Sequence, residues 1–462
     1  MGQPEASRAA AIAAARGEIG KRGLKQVTVA HFDTNATLRG KLISADSFLA
    51  ALEGGTGLPA VFTAVDYKEA VVPGLPVTDA GSGYRNSSVQ IDPLSMRVFP
   101  HGARKDDLLF LLQFDDDSRQ YCPRAILTKA LEDFRGLGLD IYSAFEYEFS
   151  VLDETPATAL TKSADALVPF EDNPVFGSIV QQVCNGEFYH ELSEVADTMG
   201  FPLDALHKEL GAGLLEVALK PSVGLRSADN AALFKTMAKA VAKRRGLTAT
   251  FMAKLKMSLQ GHGGHVHLSF RDIGTGKAAF ADPDGQFGMS ARARHFVAGL
   301  QRYLPELALM ALPNINSYRR LIPNAWAPVY PNWGFENRTC ALRVVGTSPA
   351  SKRVEIRLAG ADANPYLALA AFITAGRLGI EQALEPSEPC AQNGWDEASV
   401  RDLRRFPSSL PEATETFAAS EVARAQFGET FLIHYAGIKR AQSEDFARTI
   451  TDWEIRNLLI SS

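Results

Sequence analysis

Glu146-Tyr147-Glu148 places two carboxylates on either side of an aromatic residue. In an extended chain both project from one face, about 6–7 Å apart at the backbone. Uncompensated they repel, and two divalent cations, one to each carboxylate, remove the repulsion. A lone Glu-x-Glu equally suits a solvated strand face, so repetition of the pattern has to carry the reading. Glu216 stands opposite the apolar Leu215, Val217 and Leu219, with Glu209 upstream beyond Gly211-Ala212-Gly213. His265, His267 and Ser269 share one side of a stretch backed by Val266, Leu268 and Phe270 and entered through Gly261-His262-Gly263-Gly264. Glu355 and Arg357 alternate with Val354, Ile356 and Leu358. Four strands with apolar backs and Glu, His and Arg fronts describe one polar cavity lined by a sheet. A carboxylate-rich donor set with an imidazole favours Mg²⁺ or Mn²⁺ over zinc.

Arginines accompany these strands. Arg319 and Arg320 follow Asn316-Ser317-Tyr318, Arg338 and Arg343 frame Thr339-Cys340-Ala341-Leu342, and Arg353 and Arg357 flank Glu355. Any one of them suits a surface ion pair. As a set beside hard cations, their guanidinium forks match carboxylate and phosphoryl oxygens, which is what phosphoryl transfer needs. Gly276-Lys277 lacks the upstream spacing of a Walker A loop and is followed by alanine, so any nucleotide site is of another kind.

The elements that must position these groups are legible in outline. Val27–Phe32 and Val61–Val65 are β-rich, Val71–Ser88 is a Pro/Gly loop, and Leu108–Phe114 reads as a buried strand ending in Asp115–Asp117. Helical spacing covers 124–135, with Gly136 placed to end it, and the domain boundary falls near 115–122. Ile141–Val151 alternates as a half-buried strand. Ser227–Arg245 is an amphipathic helix with Ser227 at its start, and the chain from Pro365 on is mainly helical. The fold class is α+β. A small N-terminal domain (1–117, with a leading helix over 1–22) precedes a large domain (118–462) whose sheet lines the site. Acidic Glu5 and Glu18 flank the Ala-rich Arg8–Arg16, which favours a surface helix over a transit peptide.

The 462 residues carry 48 Lys+Arg against 53 Asp+Glu, a net charge of −5 that offers no reason to expect nucleic acid or an anionic membrane as partner. No apolar run approaches the ~18–20 residues of a membrane span. Cys122, Cys184, Cys340 and Cys390 form no CxxC, which points to reduced thiols and a cytoplasmic protein.

Taken in order, these motifs resemble the glutamine synthetase family. The matching segments are Glu146-Tyr147-Glu148-Phe149, Glu209 with Glu216, His265-Val266-His267-Leu268-Ser269, Asn316 to Leu321, Asn337-Arg338 with Arg343, Glu355-Ile356-Arg357 and Asn364-Pro365-Tyr366-Leu367. They span about 120–380, the region from Asp33 to Pro100 resembles the family's small β-grasp domain, and the resemblance implies that the sheet of the large domain is curved and antiparallel with helices around it. The resemblance implies a ligase that activates L-glutamate with ATP through a γ-glutamyl phosphate, using two or more Mg²⁺ or Mn²⁺. Glu148, Glu209 and Glu216 would hold one ion, and Glu146, His265 and Glu355 the other. Arg320 would bind the α-carboxylate of glutamate with Gly261 nearby, and Arg357 its γ-carboxyl end. Arg338 and Arg343 would stabilise the transferring phosphoryl group, with Arg353, His267 and Ser269 on the nucleotide side. It also implies a ring-shaped homo-oligomer, a dodecamer of two stacked hexamers.

Departures from the family pattern bear on the acceptor. Where ammonia-using members read Pro-Gly-Tyr-Glu-Ala-Pro, this chain reads Pro323-Asn324-Ala325-Trp326-Ala327-Pro328. Trp326 removes a counter-charge and base for ammonium and adds an apolar wall. The usual Gly-Gln before the second glutamate is Gly213-Leu214, and Leu403–Pro407 holds no tyrosine for adenylylation. The expected acceptor is therefore a small organic amine, aromatic or alkyl, in a pocket of Trp326, Trp333 and Phe335, with Asp79 as candidate for the ammonium-site aspartate. Three rivals stand beside this reading: ammonia-dependent glutamine synthesis, a metal-dependent hydrolase built on His265-x-His267, and a non-catalytic relative.

Overall fold

Alternating apolar residues early in the chain build a six-stranded mixed sheet: β1 (Gln26–Phe32), β2 (Leu38–Ser44), β3 (Thr56–Pro59), β4 (Asn86–Ile91), β5 (Arg97–His101) and β6 (Arg104–Phe114). The computed structural model describes residues 2–78, 81, 83–101 and 104–461, so Asp79 lies outside the described residues. Strand order is β2-β1-β6-β4-β3 with β5 also on β6, and β1 and β6 run parallel. Val27, Val29, Phe110 and Leu112 cluster with Phe48 and Leu52 of the helix Ala45–Gly54 and with Ala15 and Ile19 of the leading helix Gly2–Arg22.

The stretch expected as β over Val61–Val65 is instead a 3₁₀ turn, Ala60–Ala64. Its three-residue period buries Ala60, Thr63 and Ala64, and the Thr63 hydroxyl donates to the Ala60 carbonyl (2.8 Å), satisfying the turn locally.

The helix Pro123–Arg135 leads from the small sheet to a larger one of nine strands. These are β7 (Leu139–Leu152), β8 (Leu203–Lys208), β9 (Leu214–Leu219), β10 (Ser222–Val223), β11 (Thr248–Thr250), β12 (Gly264–Asp272), β13 (Trp333–Phe335), β14 (Leu342–Val345) and β15 (Arg353–Ile356). The order is β13-β14-β15-β12-β7-β9-β8, antiparallel except for β13 with β14, and β10 and β11 also pair with β7. Strict alternation makes β7 the axis of the sheet. Phe145, Tyr147 and Phe149 turn back into an aromatic cluster with Phe234 and Phe251, leaving Glu146 and Glu148 on the front. Phe149 stacks 5.0 Å from Phe251, and such pairs add about 0.5–1.5 kcal/mol beyond burial.

The helix expected from Ser227 begins at Leu225, directly after Gly224 at φ +58°. Glycine there turns the chain out of β10 two residues early, so Ser227 lies buried inside the first turn and does not cap it. From Pro365 the chain is mainly helical. Asn364 caps the buried helix Pro365–Glu381: its Oδ1 accepts from the backbone N–H of Tyr366 (3.0 Å), and its Nδ2 donates to the carbonyls of Asp33 (3.0 Å) and Thr34 (3.2 Å) beside the small sheet.

Candidate active site

Register across the large sheet assembles the site. Arg343 on β14 lies opposite Glu355 on β15, and Glu355 lies opposite His267 on β12. His265 faces Glu146 across β12 and β7, Glu148 faces Glu216 across β7 and β9, and Glu216 faces His207 across β8. Directly opposed residues on one face bring their Cβ atoms within about 4.5–5.5 Å, so pairing alone concentrates these groups at one wall. They front a cleft of about 530 Å³.

Twelve expected residues line it: Glu146, Glu148, Glu209, Glu216, His265 and Glu355; Arg320, Arg338, Arg343 and Arg357; Gly261 and Trp326. His267 adjoins it, its Nε2–H donating to Glu146 Oε2 (2.7 Å) while its Nδ1 accepts from Arg353 Nε (3.1 Å). Glu146, His267 and Glu355 thus bring donor atoms within 4.8 Å of one another, although the resemblance places His265 in that set. The His265 ring stands close by, its Nδ1 3.5 Å from Glu355 and buried without a hydrogen bond. Ser269 continues the same front, two residues further along β12.

A second group of donors comprises His207, Glu209 and Glu216, also within 4.8 Å. His207 was not anticipated. Its signal was strand alternation: two residues before Glu209 on an extended chain, it shares that face.

The electrostatics fit cations. Burial and the hydrogen bond to Glu146 push the Glu216 carboxyl well up, so it keeps the proton of the pair. Burial also works upward on Glu146, but hydrogen bonds from His267 and Glu216 outweigh it and hold Glu146 low. Burial and the neighbouring charge of Glu148 raise Glu209 to about 7. Burial pushes the Glu148 carboxyl up as well, so the cluster resists carrying all of its negative charges at once. A crowded all-oxygen cluster with imidazole at its edge matches hard divalent ions.

The arginines occupy distinct stations. Arg320 is 3% exposed and donates to the carbonyls of Leu358 (3.0 Å) and Arg357 (2.9 Å). A Cβ on Gly261 would meet Arg320 Cγ at 2.7 Å, so only glycine fits there. Arg357 donates to Glu355 (2.5 Å) and to the Trp326 carbonyl (3.4 Å), and Arg343 bridges Glu355 (3.0 Å) and Glu336 (2.5 Å). Arg338 is exposed at the cleft.

Trp326 borders the mouth, 54% exposed and at φ +60°. Trp333 and Phe335, expected beside it, are elsewhere. Trp333 is 1% exposed and its indole donates to the Ser387 carbonyl (2.7 Å), which makes it a core anchor. Phe335 stacks on Phe287 (5.1 Å, interplanar 4°) under the Lys352 ammonium, and neither ring reaches the cleft lining. Both sit on the short edge strand β13, beyond β14 from the acidic wall. Phe176 and Leu210, which no sequence pattern marks, supply the apolar part of the mouth, 60% and 44% exposed. No spacing signal marks Phe176, which sits in the irregular segment just before the helix Ile179–Cys184.

Similarity to known proteins agrees with this geometry. Residues 120–458 match the family described as glutamine synthetase, catalytic domain. The chain belongs to the glutamine synthetase family. It is thereby an ATP-dependent carbon–nitrogen ligase, of a family that works with ATP and divalent metals. The chain is 34% identical over 438 residues to type-1 glutamine synthetase 2 of Dictyostelium discoideum, covering 94% of this chain and 83% of that one. It is 32% identical to the glutamate–isopropylamine ligase of a Pseudomonas species (96% of each chain) and 35% to a γ-glutamylethanolamide synthetase of Streptomyces coelicolor (93% and 91%). A solved GmaS/ADP complex superposes with a TM-score of 0.82 at 25% identity, covering 96% of this chain and 98% of the other. No helix among the described residues is long and apolar enough to cross a membrane.

Proposed function

We propose that this glutamine synthetase family member joins the γ-carboxyl of L-glutamate to a small organic amine through a γ-glutamyl phosphate. One observation carries the reading: a cleft lined largely by carboxylate, imidazole and guanidinium groups has Phe176, Leu210 and Trp326 along its mouth. Ammonium has no carbon skeleton to bury against such a rim, whereas an organic amine has one. Relatives whose names carry isopropylamine and ethanolamide support it.

In this reading Glu148, Glu209 and Glu216, with His207 beside them, hold one Mg²⁺ or Mn²⁺. Glu146, Glu355 and the histidines of β12 hold a second. When bound, the ions neutralise phosphate charge and draw protons off the carboxylates. Arg320, buried beside Gly261, takes the α-carboxylate of glutamate. Arg357 orients the γ-carboxyl towards the transferring phosphoryl group, whose charge Arg338 and Arg343 meet. Arg353, His267 and Ser269 face the nucleotide. The amine enters past Trp326, attacks the acyl phosphate, and phosphate leaves. An aromatic amine is already neutral at pH 7, whereas an alkylamine must lose a proton, and its cation has the Trp326 face to rest against. We further infer a cytoplasmic, ring-shaped homo-oligomer, and two domains meeting near 117.

Ammonia remains the competing acceptor, since a relative at 34% identity is named a glutamine synthetase. An ADP-release assay with glutamate and a panel of ammonia, alkyl and aromatic amines decides between them. At least one organic amine should exceed ammonia in kcat/KM. Ammonia outperforming every organic amine ends the proposal.

A further inference from the structure

Lys208 is a buried cation for which the reaction above has no use. It sits between His207 and Glu209 at the end of β8, so its side chain leaves the strand away from theirs. Its ammonium donates to the carbonyls of Glu209 (2.6 Å), Gly211 and Leu214 (3.4 Å) and stands 3.2 Å from the carboxylate of Glu171. The two side chains are 1% and 0% exposed.

Those three carbonyls belong to the connection that leads from Glu209 to Glu216. Its ends are closed by the Glu209 N–H on the Leu214 carbonyl (2.8 Å). Gly213, at φ +68°, has no room for a side chain: a Cβ would meet the Val151 carbonyl at 2.6 Å. Glu171, in turn, starts the segment that carries Phe176 over the cleft mouth. That segment is tied to the same place, with the Gly177 N–H on the Lys208 carbonyl (2.9 Å) and the Gly211 N–H on the Pro174 carbonyl (3.3 Å).

Stability alone does not account for the pair. A buried ion pair carries a desolvation cost of several kcal/mol per ion, and well-packed apolar replacements are often neutral or stabilising. What the ammonium does that an apolar side chain cannot is gather three carbonyls of one loop to a point.

We propose that Lys208, held by Glu171, is a positioning residue: it sets the Glu209–Glu216 loop to receive a divalent cation and, through the 171–177 segment, sets Phe176 over the acceptor entrance. The proposal rests on the ligase reading above.

The double variant Lys208→Met/Glu171→Leu tests it, because it removes both charges together and strands neither. Mn²⁺ titrations followed by the electron paramagnetic resonance of free Mn²⁺ should show one class of site weakened about ten- to hundredfold, the usual cost of removing a group that orients metal ligands. Circular dichroism and the melting temperature verify that the variant is folded, any fall in the latter reading the cost of carbonyls left without the ammonium. KM should rise for the best amine of the panel, while glutamate KM stays unchanged because Arg320 is untouched. Glu171→Gln, which keeps shape and loses charge, is the milder arm and should weaken Mn²⁺ in the same direction. Lys208→Arg, which keeps a cationic donor, should recover part of the loss. Parental Mn²⁺ affinity and amine KM in both the double variant and Glu171→Gln would overturn the role of Lys208 while leaving the ligase reading intact. A parent protein that binds no Mn²⁺ and releases no ADP would overturn both.

Discussion

At the scale of single residues, the site is a problem of charge crowding. Glu146, Glu148, Glu209 and Glu216 share one wall, and burial with mutual repulsion pushes Glu209 and Glu216 towards their protonated forms, a tendency that divalent cations would reverse. Opposite them Arg320 has no slack, with Gly261 packed on its stem. Gly261→Ala should therefore displace the guanidinium and raise glutamate KM at least about tenfold, the scale of a lost charge-assisted hydrogen bond, with ATP KM nearly unchanged. Steady-state kinetics varying each substrate reads this directly, and equal shifts in both KM values would refute it. Trp326 offers the second residue-level prediction. Trp326→Glu restores a counter-charge for ammonium at the mouth and removes the apolar wall, so kcat/KM for ammonia should rise while that for the best organic amine falls. The ratio of the two in competition is the measurement, and an unchanged ratio would show that Trp326 only anchors its loop.

At the scale of elements, the strand register does most of the positioning, and one buried contact ties the layers together. The 3₁₀ turn Ala60–Ala64 offers the Thr63 carbonyl to His434 Nε2 (3.1 Å) on the helix Glu429–Ala447. Tyr121 packs on the same ring at 4.5 Å. Burial holds His434 at about 4, and burial with the charge of Arg39 does the same for His31 on β1. Histidine in the unfolded chain titrates near 6.5. Between these values the unfolded chain binds more protons, so stability rises with pH. It is complete above roughly pH 6.5 and lost as pH falls towards 4, by on the order of 3 kcal/mol per histidine at the limit. Melting curves from pH 7.5 down to 4.5 should show a shallower acid slope for His434→Gln than for the parent chain. Parallel slopes would mean that His434 does not titrate with unfolding.

At the scale of the whole molecule, the small sheet and the catalytic sheet are joined through Asn364, whose amide reaches the Asp33–Thr34 corner while its Oδ1 caps the helix behind the site. Val175, Ile179, Val180 and Val183, near Phe176 in the chain, stand exposed. Assembly into two hexameric rings would give a particle of about twelve times the 50.0 kDa chain. Mass photometry checks this, and a monomeric, fully active enzyme would refute it. The sequence by itself determined the chemistry of the acidic wall and the strands that carry it. Alternation with period two puts Glu146, Glu148, Glu216, His265 and Glu355 on polar faces whatever their neighbours are. Motif order was equally legible, because metal and phosphoryl chemistry restrict residue types. Only the tertiary structure decided which strand lies beside which, and so that His207 joins Glu216 and that His267 reaches Glu146. It also decided the apolar rim. Trp333 and Phe335 looked equivalent to Trp326 in the sequence, yet they are held in the core and against Phe287, while Phe176 arrives from an irregular segment. Aromatic residues carry no periodic signal that separates a pocket wall from a core anchor, since both bury the same kind of surface.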